Sequence, residues 1–294
     1  MTDAEYLTAI LLEHSLAPGS PELTELQKNG DEVKGFLRSR FPGVRVNEAG
    51  SKRKGTMIRD SYDLDLTCYF SHDDGQAGDD LEEIYESVEA VLEERYHVLR
   101  KRSALRLTGL SSETDLHIDV VPGRFVDGSA GDVFLHQTFG DKERLKTNLD
   151  IHVEHVRSSA VRDAIKLMKV WREVNHIGVK TFVLELLVID LLKHRTNDSL
   201  NDQLMFLWQE LKERADTILV QDPANPSGND LSDLLNGNIR KRISICASTT
   251  LDMVADCGIQ GVFGQSKGSK SSDVQALRKA AGTSSESARP WADG

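Results

Sequence analysis

The chain's 294 residues predict an α+β fold, a mixed β-sheet with helical cover packed against a C-terminal helical lobe, and three patterns carry that expectation. Two short runs alternate apolar and polar residues with the period of half-buried strands. In the first, Leu64, Leu66, Cys68 and Phe70 share one parity while Asp63, Asp65, Thr67 and Tyr69 share the other; in the second, Ile118 and Val120 oppose His117 and Asp119. Between the runs Leu81, Ile84, Val88, Val91 and Leu92 recur at helical spacing, and from about residue 157 onward the apolar pattern is helical throughout. The organisation read from this is a first lobe with N-terminal helices over 1–156, a helical lobe over 157–264 and a tail over 265–294.

The elements follow in order. Leu7, Ile10 and Leu11 suggest a first helix, and Ser20-Pro21-Glu22 is a cap-and-start signal for a second carrying Leu23, Leu26, Val33 and Leu37. Val44 to Val46 read as a short strand closed by the Gly50-Ser51 turn, which leads into the basic loop Lys52-Arg53-Lys54-Gly55-Thr56. After the Asp63 strand, Ser71 to Asp80 is polar and reads as a loop, then come the helix from Leu81, strand-like Tyr96 to Thr108, and the Asp119 strand. Val161, Ile165, Met168 and Trp171 form one helical stripe, Phe182 to Leu192 an apolar helix, and Leu204, Leu207, Trp208, Leu211, Ala215 and Ile218 another stripe. These stripes read as core. Asn225-Pro226 breaks the pattern before a last helix with Leu231, Leu234, Ile239, Ile243 and Leu251, and beyond Gly264 few apolar residues remain to offset the entropy of ordering.

Composition removes several function classes. A formal net charge of -11 argues against a protein that coats long nucleic acid through its overall field. The three cysteines form no Cys-x-x-Cys pair, so reduced thiols in a cytoplasmic protein are the expectation. The start of the chain shows no secretory pattern, and Phe182 to Leu192 is too short and too interrupted, by Glu185 and Asp190, to span a bilayer. No phosphate-binding Gly-x-x-x-x-Gly-Lys-Ser/Thr loop and no Gly-x-Ser-x-Gly nucleophile turn is present. His152 and His155, three residues apart, lack the partners of a zinc site and read as surface or packing residues.

The chemistry concentrates in three carboxylates. Asp63 and Asp65 leave the same strand face, and if the Asp119 strand is a neighbour all three converge. Two unit charges about 4 Å apart repel by roughly 4 kcal/mol at an effective dielectric of 20, so convergence needs a counter-charge. A divalent cation with triphosphate oxygens supplies it, and Mg²⁺ suits a few carboxylates, phosphates and retained waters. The Gly50-Ser51 turn, twelve residues before Asp63, offers close backbone approach to a phosphate and a hydroxyl donor. For a bare Asp-x-Asp or Gly-Ser alone, solvated polar residues are the default reading; their order along one chain changes that. His117 shares the face of Asp119 and would line the same cleft.

Gly50-Ser51, Gly55-Thr56, Asp63-x-Asp65 and Ile118-Asp119-Val120-Val121-Pro122 together resemble the signature of the DNA polymerase β-like nucleotidyltransferases. Ile165 to Trp171, Lys180 to Leu187, and Asp222-Pro223-Ala224-Asn225-Pro226 resemble the helical half of the oligoadenylate synthetase and cGAS-like branch, among whose members a bacterial CD-NTase of the CBASS anti-phage systems fits the chain length best. The resemblance covers residues 35 to 262. It implies a polymerase β-like fold and a Mg²⁺-dependent enzyme, with Mn²⁺ as the alternative ion, that joins nucleoside triphosphates into a short cyclic oligonucleotide and releases pyrophosphate. Asp63, Asp65 and Asp119 would be the catalytic and metal-holding residues, Gly50 and Ser51 would hold phosphates, and Lys169 and Thr181 would contact the same triphosphate. Linear oligoadenylate synthesis or RNA-end extension, nucleotide transfer to a protein, and a silent nucleotide sensor stay open as alternatives. Some bacterial members of the resembled family are joined through their C-terminal residue to other proteins by a ubiquitin-ligase-like partner, and the same partner acting on the tail at Gly294, with Trp291 as an anchor in its groove, is the expectation set against the plainer reading of an inert tail.

Overall fold

The computed structural model describes residues 1–110, 116–129, 131–140, 143–226 and 230–264. The expected tail, with Trp291 and Gly294, lies outside the described residues. Helices α1 (Asp3–Glu13) and α2 (Pro21–Arg40) lead into strand β1 (Arg45–Ala49), the short helix α3 (Gly50–Lys54) and strand β2 (Leu64–Phe70). Helix α4 (Leu81–Glu93), strands β3 (His97–Arg100) and β4 (Leu105–Thr108), the long strand β5 (Ile118–Phe125), and strands β6 (Val133–His136) and β7 (Arg144–Thr147) complete the first half. Helices α5 (Leu149–Arg157), α6 (Arg162–Val174), α7 (Thr181–Leu191), α8 (Leu200–Arg214), α9 (Gly237–Cys257) and α10 (Gln260–Phe263) follow.

The seven strands form one mixed sheet in the order β1-β2-β5-β4-β3, with β6 on β5 and β7 on β6. Only β2 and β5 run parallel; every other pair is antiparallel. A parallel pair needs a crossover, and α4 with the β3–β4 hairpin supplies it. β5 divides its second edge, giving residues 118–120 to β4 and residues 124–125 to β6. The apolar parity of β2 and β5 packs under α2 and α4 in one core with Leu26, Val33, Leu37, Ile84, Tyr85 and Val88. At Gly30 of α2 a Cβ would stand 2.4 Å from Leu64 Cδ2, so a glycine there lets α2 lie directly on β2.

A second core joins Trp171, Trp208, Leu184, Leu187, Leu207 and Ile243 in the helical half. It also takes in Tyr6, Leu7 and Ile10 of α1. The first helix, assigned with residues 1–156 from its place in the sequence, thus packs in the helical lobe, where its apolar stripe finds a partner stripe. Tyr6 Oη fixes the arrangement by donating to the Gly264 carbonyl at 2.7 Å. No helix among the described residues is long and apolar enough to cross a membrane.

The caps behave as the residue types dictate. Ser20 Oγ accepts from Leu23 N at 3.3 Å ahead of Pro21, and Asp80 Oδ1 accepts from Glu83 N at 2.9 Å at the start of α4. Strands β6 and β7 have four residues each and helix α5 has nine. Sequence pattern predicts none of the three. The strand-like stretch from Tyr96 to Thr108 is instead a hairpin of two strands, β3 and β4.

Candidate active site

The polar parity of β2 and β5 turns toward α3 and the helical half. Because β2 and β5 are parallel neighbours in register, Asp65 lies beside Asp119, with Ala49 of β1 on the other flank of Asp65. Neighbouring strands sit about 4.8 Å apart, so the pairing alone forces two carboxylates together. Asp63 precedes the first residue of β2 and stands next to His117, whose Nε2 is 3.4 Å from Asp63 Oδ2. One ligand atom each from Asp63, His117 and Asp119 can be gathered within 4.8 Å of one another.

Asp65 is turned the other way, toward α3. A Cβ on Gly50 would stand 1.6 Å from Asp65 Oδ2, and Gly50 has φ +64°. Both the left-handed backbone and the close carboxylate exclude a side chain at this position. Ser51 follows; its Oγ is buried and has no hydrogen-bond partner in the protein. A buried hydroxyl left without any partner costs roughly 1–3 kcal/mol, so a ligand atom or water that accepts from it is favoured.

The electrostatics separate the three carboxylates. Burial pushes Asp65 up to about 7, with Asp63 and Asp119 adding to the rise and Lys54 partly opposing it. Burial acts the same way on Asp63, but the hydrogen bond and charge of His117, with help from Arg106, outweigh it and hold Asp63 below its ordinary value. Asp119 is gripped by Arg106 of β4, whose Nε and Nη2 donate to its two oxygens at 2.7 Å each. His117 is raised in turn, chiefly by its bond to Asp63.

Arg106 is a site residue that sequence reasoning does not find. Its signal is a lone cation alternating with apolar Leu105 and Leu107, and the register Arg106↔Asp119 that gives it meaning exists only once β4 pairs with β5.

The Lys52-Arg53-Lys54 run is the helix α3 rather than a loop, and each of its cations is tied down. Lys52 pairs with Glu48 at 3.0 Å, Arg53 with Asp150 at 2.5 Å and Lys54 with Glu185 at 2.8 Å.

Lys169, the expected triphosphate contact, lies among protein partners in this structure. It is 1% exposed, and its ammonium is engaged by Glu185 Oε1 at 2.6 Å and by the carbonyl and hydroxyl oxygens of Thr56 at 2.9 and 3.1 Å. Thr181 begins α7 and accepts from Arg172 Nη1 at 2.6 Å. The sequence could not supply either partner, because Glu185 reads as a blemish in an apolar helix until α7 meets α6 and α3. His155 is exposed, whereas His152 is buried, bonded through Nε2 to Asp222 Oδ1 at 2.6 Å and stacked 4.4 Å from the Phe182 ring. The Asp222-Pro223 segment is thereby fastened to α5.

The donor set fits a divalent oxygen-seeking cation with phosphate. Asp63 and Asp119 can be gathered with His117 around one ion, Asp65 lies beside Asp119 in the sheet, Gly50 leaves room where a Cβ would block, and the adjoining Ser51 has a buried hydroxyl with no protein partner.

No family model matches the chain, and no curated protein matches it. Solved structures do. The CD-NTase CdnG of Bradyrhizobium diazoefficiens, in complex with GTP, superposes with a TM-score of 0.69 at 15% identity, over 95% of this chain and 98% of that one. CdnC of E. coli MS115-1, in its complex with HORMA-deltaN, gives 0.67 at 18% identity over 90% and 98%. The DncV cyclic AMP-GMP synthase of Vibrio cholerae, with a linear pppA(3',5')pG intermediate, gives 0.63 at 15% over 92% and 86%. At these identities the likeness is one of architecture, and it extends over both lobes: the chain has the polymerase β-like nucleotidyltransferase fold of the bacterial CD-NTases.

Proposed function

We propose that the protein is a Mg²⁺-dependent nucleotidyltransferase that joins nucleoside triphosphates into a short cyclic oligonucleotide in the cytoplasm, as a messenger in anti-phage defence. The observation that carries this reading is the register of β2 on β5, which sets Asp65 beside Asp119 with Asp63 at the strand mouth and the Gly50-Ser51 turn against Asp65. Asp63, Asp65 and Asp119 would hold the cations. Bound there, Mg²⁺ supplies charge neutralisation for the phosphates and activation of an acceptor hydroxyl.

The chain's own residues set up the rest. Gly50 lets the turn approach Asp65 closely, and Ser51 Oγ, buried without a protein partner, would donate to a phosphate oxygen of the leaving pyrophosphate. Arg106 orients Asp119 by gripping both of its oxygens. His117, beside Asp63 and raised in proton affinity, steadies that carboxylate in its ionised form. The bond formed joins an acceptor ribose oxygen to the α-phosphorus; the bond broken releases pyrophosphate. The bound nucleotides recorded in the CdnG and DncV structures support this reading.

The test is incubation of purified protein with all four NTPs and Mg²⁺ or Mn²⁺, followed by phosphatase and mass spectrometry. A phosphatase-resistant oligonucleotide is the expected product, absent from an Asp63→Asn/Asp65→Asn control. A product that loses terminal phosphates to phosphatase indicates the linear synthetase instead, and no product with any NTP and ion overturns the enzyme reading.

A further inference from the structure

The nucleotide turn occupies one end of α3, and at the other end of this five-residue helix lies a closed set of buried charges that the reaction described above does not use. Glu185 of α7 is fully buried. Its Oε2 accepts from Lys54 Nζ at 2.8 Å, and its Oε1 accepts from Thr56 Oγ1 at 2.6 Å and meets Lys169 Nζ at 2.6 Å. Lys169 returns to the Thr56 carbonyl, and Lys54 Nζ also lies 4.6 Å from the centroid of the Phe182 ring. Four side chains from three places, the end of α3, α6 and α7, are thus satisfied by one another out of water. Lys54 and Thr56 are three and five residues from Ser51.

Assembling two ammonium groups and a carboxylate in the interior is expensive, and such a cluster returns little net stability compared with apolar packing. What it does supply is a single geometry, because removing or displacing one member leaves a buried charge unpaired. The other two cations of α3 reach β1 and α5 through half-exposed or exposed pairs that are weak and salt-sensitive. Among the described residues, the Glu185 cluster ties α3 to the helical lobe through buried charged contacts.

We propose that Glu185 is a positioning residue for nucleotide transfer: with Lys54, Thr56 and Lys169 it locks α3 so that the Gly50-Ser51 turn is held against Asp65. This gives Lys169 a part in holding the turn. The inference rests on the nucleotidyltransferase reading for its kinetic arm and on geometry alone for its exchange arm.

The experiment compares the full chain with Glu185→Gln, which keeps the side chain's size and shape but replaces one carboxylate oxygen with an NH2 donor and removes the charge, and with Glu185→Asp, which keeps the charge on a shorter stem. Amide hydrogen exchange over residues 50–56 should quicken at least about tenfold in Glu185→Gln while β5 amides hold their protection. In transfer assays kcat should fall about 10²-fold, as for a misplacement near 1 Å, with KM within about threefold of wild type. Glu185→Asp should recover part of both.

Unchanged exchange over 50–56 overturns the proposal, and so does a KM rise that accounts for the whole loss, since that would make the cluster a nucleotide contact. If Glu185→Gln fails to fold, Lys54→Met takes its place, with the same two readouts and the same results for and against. Should the wild type transfer no nucleotide at all, the functional reading falls and the exchange arm still decides this one.

Discussion

Two clusters of charge lie at opposite ends of α3, and they are built on opposite principles. At the strand end, Asp63, Asp65 and Asp119 meet one guanidinium and one imidazole; carboxylates are in excess, and burial with mutual repulsion lifts Asp65 to about 7. At the lobe end, two ammonium groups share Glu185, and although burial alone would raise that carboxyl, Lys169 and Lys54 outweigh it and hold it below its ordinary value. The first cluster stores repulsion that a cation would relieve. The second is complete within the protein. Losing the charge of Asp65 should therefore help the apo stability of the first, and losing that of Glu185 should damage that of the second.

The largest effect should come from the first cluster. Asp65→Asn removes a metal-holding carboxylate from a transition state that such contacts stabilise by several kcal/mol, so transfer should fall by at least about 10³-fold. The thermal midpoint in EDTA should hold or rise, because a strained buried charge has gone. Calorimetry reads the second quantity directly. A sharp fall in that midpoint would show that Asp65 is a structural anchor and that the contrast between the clusters is wrong.

The second cluster should answer in the other direction. Glu185→Ala leaves Lys54 and Lys169 buried without their carboxylate, and breaking a buried pair this way costs about 3–5 kcal/mol. Chemical denaturation of the two alanine variants Glu185→Ala and Asp65→Ala, run without divalent cations, gives the comparison in one experiment. Equal losses would erase the distinction.

A smaller test falls between the clusters, at Ser51. Its buried Oγ makes no protein hydrogen bond, so Ser51→Ala should leave apo stability within about 1 kcal/mol of wild type, on the stabilising side. Affinity for a non-hydrolysable ATP analogue should weaken by about 1 to 3 kcal/mol if the hydroxyl donates to a charged oxygen. Titration calorimetry separates the two. Unchanged affinity would return Ser51 to an ordinary buried serine.

These clusters also differ in how far the sequence discloses them. Asp63, Asp65 and Asp119 are legible because strand period is a local property: alternation assigns a face, and a face with carboxylates on two strands has few explanations. The sequence does not show that Asp63 falls just outside β2 while Asp65 turns toward Gly50, a matter of where pairing with β1 and β5 begins. Glu185 is invisible for a different reason. In Phe182 to Leu192 it interrupts an apolar helix, and what redeems it, Lys54 and Lys169, lies 131 and 16 positions away on elements whose packing no periodicity specifies. Helix α1 follows the same rule. Its apolar stripe is plain, but the choice between two available cores is tertiary, and proximity in sequence favours the wrong one.

The smallest expected effect is on the acid side of the stability curve, and it isolates the lobe-end cluster without touching the strand-end carboxylates. The folded pKa of Glu185 lies below its ordinary 4.5. A depressed folded value means that the unfolded chain takes up this proton first, so the contribution to stability is fully present above about 4.5 and is lost as pH falls through the lower folded value. Glu185→Gln has nothing to titrate at that position. The stability difference between wild type and Glu185→Gln, measured by denaturant titration from pH 7 down to pH 3, should therefore stay level above about 4.5 and shrink below it. Because both proteins keep Asp63, Asp65 and Asp119, the titration of the strand-end carboxylates largely cancels in the difference. A gap that stayed constant to pH 3 would mean that Glu185 is not held ionised by its two lysines, and the lobe-end cluster would lose the ion pairing that distinguishes it from the strand end.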